Sequence, residues 1–97
     1  MNTIKQKVPV MELLAGLAEE ASELAQAALK LRRVIDPYIS NPTPVTEDQA
    51  MERLYEEIAD VKLYCSVLDV NVRYISQVME QKKKRWEDRL MSREASE

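Results

Sequence analysis

Along the first third of the chain, apolar residues recur at alternating steps of four and three, from Val10 and Leu14 to Leu31 and Ile35. This spacing follows the turn of an α-helix and keeps the apolar side chains on one face. Pro9 suits the first turn of such a helix, because the amide hydrogen that proline lacks has no partner there. The pattern therefore predicts a long amphipathic helix over residues 9–35.

Two further apolar series with helical spacing follow. Thr46 and Gln49 form a capping-box pattern, which predicts that a second helix over 46–69 starts here. Asn71 is a suitable cap for a third helix over 72–92. The apolar positions are Met51, Leu54, Ile58, Val61, Cys65 and Leu68 in the second helix, and Val72, Ile75, Met79, Trp86 and Leu90 in the third.

The prolines mark the one substantial loop, since three of the four lie in "DPYISNPTP". With a single glycine, no phenylalanine and no second domain evident, we predict one all-α domain over 1–97, with a Pro-rich loop at 36–45 between antiparallel helices. Each helix is about 30 Å long, so three of them leave apolar edges uncovered. We therefore expect a helical bundle completed by oligomerisation, as a homodimer or homotetramer.

Composition excludes several chemistries. The chain has no histidine and one cysteine, Cys65, which removes structural zinc sites and nucleophiles that need an imidazole. A net charge of −3 argues against nucleic acid as a partner. No apolar run reaches the roughly 18 residues of a membrane span, and "MNTIKQKVPV" does not read as a signal peptide. We expect a cytoplasmic protein without a membrane partner.

The acids of "EEASE" differ in helical phase. Glu19 falls on the polar face with Gln26 and Lys30, whereas Glu20 falls inside the apolar arc and Glu23 at its border. Burying a carboxylate costs several kcal/mol unless it is paired, protonated or bound to a metal. Glu20 therefore needs an explanation that Glu19 does not.

The second helix repeats this arrangement with Glu57 and Asp60, which lie beside its apolar stripe. Glu20 with Glu23 and Glu57 with Asp60 are both i, i+3 pairs, whose members are neighbours on a helix face. If the helices pack antiparallel, the four carboxylates converge and repel each other unless a cation is present. Oxygen ligands suit hard cations, and Mg²⁺ is the natural occupant. A solvated surface paired with nearby cations is the ordinary alternative for such acids.

Two acidic segments of the sequence resemble the motifs of a known family. "LAEEASELAQA" followed by "EEIADVKLY" is similar to the EExxE and ExxD motifs of the MazG-like all-α nucleoside triphosphate pyrophosphohydrolases, over about residues 14–89. The resemblance implies that Glu20, Glu23, Glu57 and Asp60 bind Mg²⁺, with Mn²⁺ as a substitute. It also implies cleavage of a nucleoside triphosphate into a monophosphate and pyrophosphate, with a role in nucleotide-pool sanitation. The spacer of residues 24–56 is longer than the family pattern leads us to expect.

Further residues are candidates for catalysis, nucleotide binding or subunit contact. Glu19 matches the first acid of the motif and is a candidate catalytic base. Tyr64 stands where relatives often carry an aromatic residue near the nucleotide. Lys82 and Arg85 share one side of the third helix, and they are candidate phosphate ligands because a triphosphate bound beside carboxylates needs cations. Trp86 is a candidate for the core or a subunit interface.

A different class of function stays open. The chain fits a non-catalytic helical oligomer that binds a protein partner or a nucleotide, with the acids serving solubility and pairing. The sequence does not identify the base or sugar of a nucleotide ligand.

Overall fold

The structure is a computed structural model that describes residues 3–36, 38 and 44–96 of the chain. Within these residues it contains four helices and no strand, which confirms the all-α prediction. The helices are α1 (Thr3–Lys7), α2 (Val10–Ile35), α3 (Glu47–Val67) and α4 (Val72–Ser96). The short α1 was not predicted, and α4 continues four residues beyond the predicted end at 92. Most of the predicted loop at 36–45 lies outside the described residues.

Local sequence signals account for where the long helices begin. Pro9 is the N-cap of α2 and has an extended backbone, with φ −61° and ψ 149°. At α3 the predicted capping box is present, because the Gln49 amide donates to Thr46 Oγ1 at 3.1 Å and the Thr46 amide donates to Gln49 Oε1 at 3.0 Å. Asn71 caps α4 by accepting from the Tyr74 amide at 2.9 Å.

A tight turn separates α3 from α4. Asp69 has φ 54°, and the Val70 amide donates to the Cys65 carbonyl at 3.3 Å. A left-handed residue with this backward hydrogen bond is the Schellman ending of a helix. The Lys5 ammonium also forms an ion pair with Asp69, which ties α1 to the turn.

The centre of the fold is the antiparallel pair α2 and α3. Moving from Gly16 to Glu23 along α2, the facing residues on α3 run backward from Tyr64 to Glu57. The buried face is rotated from the predicted stripe, because Val10, Leu14 and Ile35 remain about half exposed while other positions are buried. One partner helix covers only part of a wide apolar arc, which explains the difference. The buried residues of the pair are Leu13, Ala27, Leu31, Ala50, Glu57 and Val67.

α4 does not fold back onto this hairpin and makes only marginal contact with the other helices. The radius of gyration is 17.9 Å, against about 12.5 Å for a compact domain of this length. Apolar side chains of α4 are consequently open to solvent, including Val72, Met79, Trp86 and Met91, each at least 62% exposed. A single chain thus forms a hairpin with an extended arm rather than a closed bundle. No helix in the described part of the chain is both long and apolar enough to cross a membrane.

Candidate metal centre

The α2–α3 pair brings three carboxylates together near the middle of the hairpin. Glu20 and Glu23 stand one turn apart on α2, and Glu57 faces them from α3. One carboxylate oxygen from each of the three lies within 4.8 Å of the others. We call these three residues the carboxylate cluster. Oxygen donors at this spacing can bind one hard cation such as Mg²⁺.

Two oxygens of the cluster are buried without a hydrogen-bond partner among the described residues. They are Oε2 of Glu20 and Oε2 of Glu57. Glu57 is only 1% exposed, and its Oε1 accepts from the Arg53 guanidinium at 2.6 Å. A buried, unpartnered carboxylate oxygen is strongly unfavourable, because it has lost water and gained nothing in return. A cation bound between the two helices would supply the missing interaction.

The pKa of Glu20 reflects the same crowding. Burial of its carboxyl group is the largest cause, followed by the negative charges of Glu23 and Asp60, a hydrogen bond with Glu23 and the charge of Glu57. Together they raise the pKa of Glu20 from 4.5 to about 7. Without a cation, Glu20 therefore relieves the repulsion by holding a proton near neutral pH.

Asp60 and Glu19 both lie outside the carboxylate cluster. Asp60 is half-buried and acts electrostatically on Glu20, but it is outside the group of oxygens that lie within 4.8 Å of one another. Glu19 is exposed on α2, as its helical phase predicts, and also lies outside that group. Three of the four predicted metal ligands therefore converge, with the fourth on the adjoining turn of α3.

Tyr64 lies against Gly16 on the N-terminal side of the cluster along α2. A Cβ atom built at Gly16 would stand 2.6 Å from Tyr64 Oη, so only glycine leaves room for this ring. Tyr64 also lines a cavity of about 260 Å³ with apolar side chains from α1, α2 and α3, among them Ile4, Leu13 and Val67. The single glycine of the chain thus accommodates a half-buried tyrosine next to the carboxylates.

Lys82 and Arg85, the predicted phosphate ligands, do not lie beside the carboxylate cluster. Both are exposed on α4, where they line a cavity of about 520 Å³ with Met79 and Trp86. Since α4 does not fold back on the hairpin, a single chain does not bring these cations to the carboxylate cluster. Helical phase determines which side of α4 holds Lys82 and Arg85. The position of α4 in the fold depends instead on tertiary contacts, which phase does not predict.

Other cations do lie beside the cluster, and they were not among the predicted site residues. Lys30 and Arg33 of α2 and Arg53 of α3 line a cavity of about 600 Å³ together with Glu23 and Gln26. Lys30 was expected on the open polar face but is half-buried. A signal was present, because Lys30 and Arg33 continue the helical steps of three and four that begin at Glu23.

Comparison of the chain with protein-family models, curated proteins and solved structures found no match. The MazG-like resemblance stays a prediction from the two acidic motifs.

Proposed function

We propose that the chain is a Mg²⁺-dependent nucleoside triphosphate pyrophosphohydrolase that acts in the cytoplasm as a homodimer or homotetramer. The observation that supports this most is the pair of buried, unpartnered oxygens of Glu20 and Glu57, which lie in a cluster of three carboxylates from two helices. A structural acidic surface has no reason to bury such atoms, whereas a cation site does. The EExxE and ExxD motifs that resemble the family contain the same residues.

The donor set fits Mg²⁺, or Mn²⁺ in its place. Glu20, Glu23 and Glu57 supply carboxylate oxygens, Asp60 is on the next turn of α3, and no histidine or thiolate competes. When bound there, Mg²⁺ neutralises phosphate charge and lowers the pKa of water. Arg53 holds one oxygen of Glu57 and thereby orients the other.

The proposed reaction is hydrolysis at the α-phosphorus. The oxygen of water forms a bond to this phosphorus, the bond to the oxygen that bridges the α- and β-phosphates breaks, and pyrophosphate leaves. The proton of water passes to a carboxylate, because the chain has no histidine. Glu19 is the candidate for this role, because it is exposed and lies outside the carboxylate cluster.

The test is pyrophosphate release from a panel of ribo- and deoxynucleoside triphosphates, with and without Mg²⁺. We expect Glu20→Gln, Glu23→Gln, Glu57→Gln and Asp60→Asn each to lower kcat by at least about 100-fold, a barrier increase of roughly 2.7 kcal/mol. Each variant removes a negative charge while nearly preserving shape.

Glu56→Gln is the matched control, because Glu56 adjoins Glu57 in sequence but its side chain is 60% exposed. Its kcat should stay near that of the wild type, while circular dichroism verifies the helix content of every variant. Equal losses at Glu56 and Glu57 would contradict the assignment by helical phase. Glu19→Gln should fall between the two if Glu19 accepts the proton, and should match Glu56→Gln if it is only solvated.

A second candidate function has one observation in its favour, the exposed apolar face of α4. Met79 is 62% exposed and Trp86 63% exposed, and they lie on the same side of α4, which is unusual for large apolar side chains of a finished fold. Under the main proposal a second copy of the chain covers this face. A wild-type protein that hydrolyses no triphosphate with Mg²⁺ would instead favour a non-catalytic oligomer that binds a protein partner or a nucleotide.

A further inference from the structure

The cavity beside the carboxylate cluster is lined by three cations and one carboxylate. Lys30 and Arg33 project from α2 and Arg53 from α3, and we call these three residues the basic groove. The volume of about 600 Å³ lies within the range of small-molecule sites, roughly 300 to 1,000 Å³. No aromatic side chain lines it, so the groove suits an anion better than a nucleobase.

The three cations of the basic groove differ in whether an acid neutralises them. Within the described part of the chain, Lys30 and Arg33 form no ion pair with any carboxylate. Arg53 pairs with Glu57 at 2.6 Å and with Glu56 at 3.9 Å, and a guanidinium has five N–H donors, so these contacts leave others for a ligand. A groove with two unpaired cations and free guanidinium donors is chemically complementary to phosphate.

The groove and the cluster are continuous. Glu23 belongs to both, and Arg53 joins them through Glu57. Lys30 follows Glu23 by seven residues, or about 10 Å along the axis of α2, and helical side chains lean toward the N-terminus and so toward the cluster. An anion in the groove therefore lies next to any cation held by the carboxylates.

The two sides of the carboxylate cluster along the hairpin differ in chemistry. Tyr64 and Gly16 lie on one side of the cluster along α2, and Lys30 with Arg33 lie on the other. We propose that the basic groove binds the β- and γ-phosphates of a nucleoside triphosphate, so that pyrophosphate leaves on the Lys30 side and the nucleoside lies toward Tyr64. This proposal rests on the proposed function, and it assigns to Lys30, Arg33 and Arg53 the role that the sequence analysis gave to Lys82 and Arg85.

The test is calorimetric binding of inorganic pyrophosphate in the presence of Mg²⁺. The double variant Lys30→Gln/Arg33→Gln should raise the Kd for pyrophosphate at least about tenfold, equivalent to 1.4 kcal/mol. The control is Arg32→Gln/Lys62→Gln, which makes the same change in net charge at exposed positions that do not line the groove. It should bind pyrophosphate like the wild type. Nucleoside monophosphate binding should be the same in all three proteins.

The possible outcomes distinguish a failure of the groove proposal from a failure of the proposed function. A wild type that binds no pyrophosphate with Mg²⁺, or a double variant that binds it as tightly as the wild type, overturns the groove even if triphosphates are hydrolysed. Loss of pyrophosphate binding in the control to the same extent also overturns it, because net charge alone then accounts for the effect. Loss confined to the groove variant in a protein without hydrolase activity supports the groove and overturns the proposed function instead.

Discussion

If the carboxylate cluster binds Mg²⁺ as proposed, the environment of Glu20 predicts that binding releases protons. Its pKa is raised to about 7, so about half of the metal-free molecules carry a proton on this carboxyl group at pH 7. A carboxylate must be ionised to bind a metal, so Mg²⁺ binding should release about half a proton per site at this pH. Titration calorimetry in two buffers with different ionisation enthalpies measures this number.

The same pKa sets how the affinity depends on pH. The ionised fraction of Glu20 is about 0.1 at pH 6 and about 0.9 at pH 8, so the apparent Kd for Mg²⁺ should fall about tenfold between them. Glu20→Gln should remove this dependence and weaken binding at pH 8. Glu56→Gln should leave both unchanged, because its carboxylate is exposed.

Stability provides an independent measure of the same event. Mg²⁺ at 100 times its Kd should stabilise the folded protein by about 2.7 kcal/mol per site, which corresponds to a rise in Tm of about 10–20 °C for a chain of this size. Glu20→Gln should show a smaller rise. Identical melting curves in EDTA and Mg²⁺, or an apparent Kd that is the same at pH 6 and pH 8, would refute the reasoning.

Three further expectations concern the metal-free protein. The folded-state pKa of Glu20 lies above its unfolded value of 4.5. Glu20 should therefore make the free energy of unfolding decrease as pH rises from about 4.5 to about 7. Chemical denaturation should show a steeper decrease for the wild type than for Glu20→Gln. Gly16→Ala should displace the Tyr64 ring and destabilise the hairpin by about 1–2 kcal/mol despite the better helix propensity of alanine, and a non-additive effect with Tyr64→Leu in a double-mutant cycle checks this. The chain should be an oligomer, because α4 exposes its apolar face; light scattering that finds a folded monomer at micromolar concentration would contradict it.

The helices, their starting points and the exposure of single side chains could be predicted from the sequence, because they depend on residues close together along the chain. Apolar spacing identified the three long helices, and Thr46 with Gln49 identified the start of α3. Phase alone separated Glu19, which is exposed, from Glu20, which is half-buried. These predictions need only the helical repeat and the hydrogen bonds at helix ends, both of which act within a few residues.

Only the tertiary structure determined how each helix is rotated about its own axis and where it lies in the fold. Phase placed Glu57 beside the apolar stripe, whereas packing puts it at 1% exposure in the α2–α3 interface, with the ring of Tyr64 seated on Gly16. The same rotation brings Lys30 toward Arg53, and the turn at Asp69 carries α4 with Lys82 away from the carboxylates. A broad apolar arc is compatible with several rotations, and contacts between residues distant in sequence select one of them.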